Sequence, residues 1–331
     1  MSAVPRYRRT TSPAAALLAG ALLLLSGAGC TQTRPPAPKP VVKRPGPPIF
    51  DGRRGGGSFP LMGSKKSPLT PADLQASLAA GYFARLDLPA GAASPVEVKG
   101  RRLNSLEAIR IDVSGARVKR DYEPTQLLPD ASVLRTVRTN DLLYAAWPLV
   151  YETARLSVRL AAKDATLEVL RDSDGKTGLV LAGARDSQME MEVSHGDLER
   201  GFLAAGRKGA RRFGIRVESS ELSLRSPTPR ALEGAVRVKC WWLLVPMAFR
   251  VHGRMDVTEI DGEFYATFSE MGCTAENIGG GLAASFLDPM LKKLQGRTSP
   301  LARFRDEKTH VKDVSLSAGP EGLRVEMRAG R

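Results

Sequence analysis

Apolar and polar residues alternate most clearly between positions 247 and 259. Met247, Phe249, Val251, Gly253, Met255 and Val257 are interleaved with Ala248, Arg250, His252, Arg254 and Asp256. A period of two with one dry side predicts a long strand with a single buried face. Ile-Asp-Gly-Glu at 260–263 predicts a turn, and Phe264, Ala266 and Phe268 carry the same alternation back. Shorter alternations predict further strands: 106–118 with Ile109, Ile111 and Val113, then Leu156/Val158/Leu160, Leu167/Val169, Leu179/Leu181 and Met189/Met191/Val193. Ile215/Val217, Leu222/Leu224 and Val236/Val238 follow, and a closing hairpin pairs 311–317 with 323–328. Asp-Ser-Asp-Gly-Lys at 172–176 is a hairpin turn by composition.

Fourfold spacing marks the helices. Thr70-Pro-Ala-Asp supplies a cap and a first-turn proline before Leu74, Leu78, Tyr82 and Leu86. Thr139 and Asn140 read as the cap of a second helix reaching Tyr151, interrupted by Pro148. A third runs from about Gly196 to Arg211 with Leu198, Phe202 and Leu203. The last, about 275–295, sets Leu282, Phe286, Met290 and Leu294 along one stripe after Gly279, Gly280 and Gly281, where the glycines read as a flexible start. Strands in successive meanders with few helices between them predict an α+β fold, a long curved antiparallel sheet wrapped on helices.

The amino terminus has a different grammar. Arg6, Arg8 and Arg9 precede an apolar run from Ala14 to Leu25, and Ser-Gly-Ala-Gly leads into Cys30. Residues 1–29 thus read as an export signal and Cys30 as a lipid-attachment site; an ordinary secretory signal is the alternative. The run is short for a spanning helix. Residues 30–69, rich in proline and glycine, read as a tether, and 70–331 as the folded body. The chain carries a net charge of +14. Outside the cytoplasm such a surface meets anionic lipid and acidic wall polymer, and nucleic acid is not an expected partner. Beyond Cys30 there are two cysteines, Cys240 and Cys273, expected on strands separated by a third and therefore as free thiols.

Catalytic patterns do not emerge. His195, His252 and His310 are dispersed with no metal or nucleophile spacing, and no Gly-x-Ser-x-Gly elbow, phosphate loop or dinucleotide fingerprint occurs. Asp172 and Asp174 belong to a turn. No enzyme, metal or cofactor is expected. The remaining chemistry is apolar. The wall of Met247, Phe249, Val251, Met255, Phe264 and Phe268, faced by Leu282, Phe286, Met290 and Leu294, is expected either to close as a core or to leave a groove for acyl chains. Each buried methylene would contribute about 0.8 kcal/mol. Arg250, Arg254, Lys292 and Lys293 would then meet an anionic head group.

Asp197-Leu198, Gly214-Ile-Arg-Val217, Pro246 to Gly253, Leu287-Asp-Pro-Met290, Val311-Lys-Asp-Val314 and Gly322-Leu-Arg-Val325 together resemble a bacterial family of exported phospholipid-binding proteins with a tubular-lipid-binding (TULIP)-like fold. The family includes the mycobacterial periplasmic phospholipid-binding protein of mannan elongation. The resemblance runs from about Leu106 to Arg331 and implies an elongated sheet wrapped on helices with phospholipid or a similar amphiphile in its groove; together with the export signal and Cys30 the expectation is a membrane-anchored, extracytoplasmic protein that binds or transfers such a lipid. The alternative is a non-catalytic structural lipoprotein that adheres to anionic wall or membrane surfaces.

Overall fold

A computed structural model describes residues 50–51, 59–61, 68–89, 91, 94–119, 127, 130–211 and 214–331. The expected export signal and Cys30 lie outside the described residues. Helix α1, Pro71–Phe83, begins as its sequence requires. The Thr70 hydroxyl accepts from the Asp73 amide, the Asp73 carboxylate accepts from the Thr70 amide, and Leu74, Leu78 and Tyr82 are buried. Leu86, the fourth residue of that spacing, belongs to a short strand instead.

Twelve principal strands follow. The first sheet contains β1 (Val96–Gly100), β2 (Leu106–Asp112), β3 (Ser132–Tyr151), β4 (Ala154–Arg171), β5 (Thr177–Gly183) and β6 (Asp186–Ser194). It is completed by the closing hairpin, β11 (His310–Gly319) and β12 (Gly322–Gly330). Its order is β11-β12-β6-β4-β3-β2-β1, antiparallel except where β2 lies parallel to β3. Strands β5 and β6 share one edge of β4, which pairs with β6 over 157–163 and with β5 over 166–171. The second sheet contains β7 (Ile215–Thr228), β8 (Ala231–Trp242), β9 (Val245–Ile260) and β10 (Glu263–Ala275) in that order, ending on the short strand Thr298–Pro300. With helices α2 (His195–Arg211) and α3 (Ile278–Lys292), the molecule is a sheet-dominated α+β protein with no closed barrel.

One expected helix is a strand. Residues 139–151 lie within β3, paired antiparallel with β4 along almost its full length. Thr139 does not cap; its hydroxyl donates to the Asp141 carbonyl 2.8 Å away. Buried Val137 and Thr139 alternate with exposed Arg138 and Asn140, a strand period that the capping pair Thr139-Asn140 obscured. Leu156/Val158/Leu160 and Leu167/Val169, read as separate segments, are one strand, as are Ile215/Val217 and Leu222/Leu224. Part of the stretch expected as a tether belongs to the fold. Phe50–Asp51 pairs with Ala302–Arg303, Phe59–Pro60 pairs with β5, and Phe59 and Leu61 join the main core.

The two sheets meet through β11. The Leu316 amide donates to the Pro229 carbonyl and the Ser226 hydroxyl donates to the Leu316 carbonyl. Leu222, Leu224, Leu232, Met255, Val257 and Phe264 of the second sheet pack in the same core as Val311, Val314 and Leu316. Cys240 and Cys273 are free thiols on β8 and β10, with β9 between them, as the strand count implied.

Helix α2 is clamped at its start. Ser194 and Asp197 bond reciprocally, and the buried Asp197 carboxylate also accepts from the Arg155 amide of β4 and from the Arg200 guanidinium. Burial works to raise this carboxyl, but the bonds from Ser194, Arg200 and Arg155 outweigh it and hold the group below the ordinary carboxylate range. A depressed folded value means that this stabilisation is complete above the unfolded carboxylate range and is lost as pH falls through the folded value. Asp197→Ala should cost about 2–3 kcal/mol, lowering the melting temperature by roughly 5–10 °C at neutral pH, with the difference from the native chain shrinking in acid. Thermal melts at pH 7 and in strong acid check this; an equal deficit at both pH values would contradict it.

Candidate functional site

Strand β10 outruns its outer neighbour. It pairs with Thr298–Pro300 only through Tyr265, Ala266 and Thr267, and helix α3 packs against β10 and β9. The chain turns into the helix by satisfying backbone on β9. The Glu276 amide donates to the Ala248 carbonyl at 2.8 Å. The Asn277 side chain accepts from the Ala248 and Gly280 amides at 2.9 and 2.6 Å and donates to the Pro246 carbonyl. Asp288, further along, accepts from the Cys273 amide of β10. Hydrogen bonding by Lys292 and by that amide holds the Asp288 carboxyl below its usual range. Burial, aided by the Asp288 charge, pushes the Cys273 thiol up to about 11.

The glycines at the start of α3 permit this approach. A Cβ on Gly279 would stand 2.2 Å from the Pro246 carbonyl oxygen, and one on Gly280 would stand 2.0 Å from that of Ala248, whereas Gly281 faces open space. Close backbone contact is thus their role, in place of the flexible start expected from sequence. The inner face of the helix is Gly279, Gly280, Ala283, Leu287 and Leu291.

That geometry overturns the expected groove wall. Leu282, Phe286 and Met290 do not face the sheet; they form the outer ridge of α3, with Ile278 at 98% exposure and Phe286 at 77%. Leu294 is half-buried beyond the helix end. The dry face of the sheet is packed by its own chain. Met247 and Phe249 form a small core with Val217 and Cys240, against which Val251, Leu203, Ala210, Ala283 and Leu287 pack. Met255 and Phe264 belong to the main core, with Phe268 against it.

The expected head-group cations are scattered. Arg254 is tied to Glu233 at 3.0 Å and to Asp256 at 2.8 Å, Lys292 pairs with Asp288, Arg250 is half-buried and Lys293 is exposed. His252 lies between strand and helix. Burial, then the charge of Arg250, holds its imidazole below the usual value.

The residues missed from sequence are those of the β8–β9 hairpin end. Trp241 pairs with Pro246 and Trp242 with Val245, leaving Leu243 and Leu244 as the turn, 80% and 90% exposed. Leu243 holds φ at 55°, a left-handed conformation that costs a leucine about 1–2 kcal/mol. The Asp261-Gly262 turn between β9 and β10 uses residues suited to the same backbone. The signal was present in the sequence as Trp-Trp-Leu-Leu-Val-Pro at 241–246, where a turn calls for polar residues. This end adjoins α3, since a Cβ on Gly279 would lie 3.0 Å from Val245 Cγ1. The hairpin end and the start of the helix ridge are therefore neighbours, and both expose apolar side chains. Beside it, Arg207, Arg211, Ile215, Arg216, Val217, Glu218 and Trp241 line an open cavity of about 710 Å³.

Among the described residues, no cluster of three or more His, Cys, Asp or Glu could hold a metal ion, and no helix is long and apolar enough to cross a membrane. No family model matches the chain, and neither does a curated protein or a solved structure.

Gly280→Ala should force α3 off β9 and cost about 1–3 kcal/mol, while Gly281→Ala should be neutral or stabilise the helix by up to about 1 kcal/mol. Paired thermal melts separate the two; equal effects would contradict the close approach.

Proposed function

We propose that this protein is an extracytoplasmic lipoprotein, anchored through a lipid on Cys30, that binds phospholipid through the outward apolar surface of the β8–β9 hairpin end and helix α3. The exposed Leu243-Leu244 turn carries the reading. Two large leucines at a strained turn add nothing to the core and leave apolar surface open to water, an arrangement that gains free energy only when a partner covers it. The flanking Trp241 and Trp242 suit the level where acyl chain meets head group. The chain's positive charge favours an anionic leaflet.

The long antiparallel strands carrying helices are compatible with a TULIP-like fold, and that finer assignment is part of the same proposal. The packed interior beneath α3 favours contact at the surface over an enclosed acyl groove. From Cys30 to Phe50 the chain has about 20 residues, which fully extended reach about 65–70 Å, enough for the body to lie on the leaflet that holds its anchor.

The full-length lipidated chain in vesicles provides the test. Trp147→Phe leaves Trp241 and Trp242 as the only tryptophans. Phospholipids brominated on their acyl chains should then quench emission by roughly two-fold or more, and the double substitution Leu243→Asp/Leu244→Asp should abolish quenching without shifting the thermal melt. Unquenched emission from the native hairpin would overturn the proposal, as would a lipid-independent blue shift that grows with protein concentration, which would assign the surface to a second copy of the chain.

A further inference from the structure

The geometry points to the cavity lined by Arg207, Arg211, Arg216 and Trp241 as a binding site for the phosphate of an anionic phospholipid head group, placed to orient the apolar hairpin end in a bilayer. This rests on the lipid-binding reading above and adds to it a site and a ligand class.

Three elements assemble the cavity. Arg207 and Arg211 stand one helical turn apart on α2, and therefore on one face. Arg216 lies on β7, directly opposite Trp241 in the β7–β8 register. Arg207 is oriented by its own backbone contacts, its Nε donating to the Val217 carbonyl and its Nη2 to that of Glu218, each at 3.2 Å. Among the described residues Glu218 is the one carboxylate in the lining, and it accepts from the Trp241 indole at 3.3 Å. Among the described residues none of the three arginines forms an ion pair. Three guanidiniums against one carboxylate leave an excess of positive charge in a concavity, where a phosphate can take forked hydrogen bonds.

Position selects the bilayer over a soluble anion. Trp241 is at once a wall of the cavity and the base of the hairpin end, followed directly by Trp242, Leu243 and Leu244. When those leucines enter the acyl region, the cavity lies at the level of the phosphates. The apolar contact and the charge contact thus require the same orientation of the body. Ile215 and Val217 give the cavity an apolar floor suited to the glycerol backbone that joins phosphate to chain.

The test uses the lipidated full-length chain carrying Trp147→Phe in brominated vesicles of phosphatidylcholine, with or without about one-third phosphatidylglycerol. Phosphatidylglycerol should strengthen quenching. Arg211→Gln/Arg216→Gln should remove that gain, lowering the ratio of inserted to stand-off protein roughly ten- to thirty-fold in those vesicles only. Both side chains are exposed, and an unchanged circular dichroism melt verifies the fold. The exposed pair Arg101→Gln/Arg102→Gln, outside the cavity, should have no such effect. An equal loss in that control overturns the site in favour of diffuse charge. Equal quenching with and without phosphatidylglycerol also overturns it while leaving the apolar reading intact, and no quenching in either composition sinks the apolar reading itself. Loss of the gain on adding inorganic phosphate at matched ionic strength would reassign the cavity to a soluble anion.

Discussion

The exposed edge of β10 is the constraint from which the rest of this end of the molecule follows. A strand that outlasts its neighbour presents unpaired amides and carbonyls, which must be covered or they recruit another chain. Helix α3 covers part of this one, where Asp288 accepts from the Cys273 amide, and its first turn can reach the neighbouring β9 only because Gly279 and Gly280 lack side chains. Once those glycines, Ala283, Leu287 and Leu291 are turned inward, helical geometry leaves Ile278, Leu282, Phe286 and Met290 no direction except outward. The apolar ridge is a consequence of how the edge is closed.

This also explains what was readable from the sequence. Strands with a complete alternation, such as β9, and helices with a polar cap and an apolar stripe, such as α1, declared themselves through local pattern. Helix α3 was found but rotated wrongly. The usual inference takes the larger residues to be the buried ones, and here the buried face is built from glycine, alanine and two leucines. Residues 139–151 of β3 read as a helix because Thr139 and Asn140 resemble a cap, whereas pairing with β4 at 16 positions along the strand decides their conformation. The cavity arginines come from α2 and β7, and no spacing within either segment announces that Trp241 will complete them.

Charge is divided between internal and external duties. On the second sheet, the buried Glu233 carboxylate binds Arg225 and Arg254, and Arg254 also grips Asp256. Removing one member would strand a buried charge, so these cations are committed to the fold. Arg254 therefore does not serve the head-group role that its sequence neighbourhood suggested. The cavity arginines Arg207, Arg211 and Arg216 stand at the other end of the β7–β8 pair, beside Glu218, a carboxylate already engaged by an indole.

The two hairpins of the second sheet are an internal comparison. Both turns place a residue in the left-handed region, Asp261 with Gly262 in one and Leu243 in the other. Aspartate and glycine relieve the backbone and interact well with water; leucine does neither. A chain that needed only to reverse direction had the first solution available one hairpin further on. Strain and exposure combined at one turn, next to two tryptophans and a helix ridge of the same character, concentrate unfavourable terms where the fold gains nothing from them. Covering that turn with an apolar partner would remove the exposure term and leave only the backbone strain.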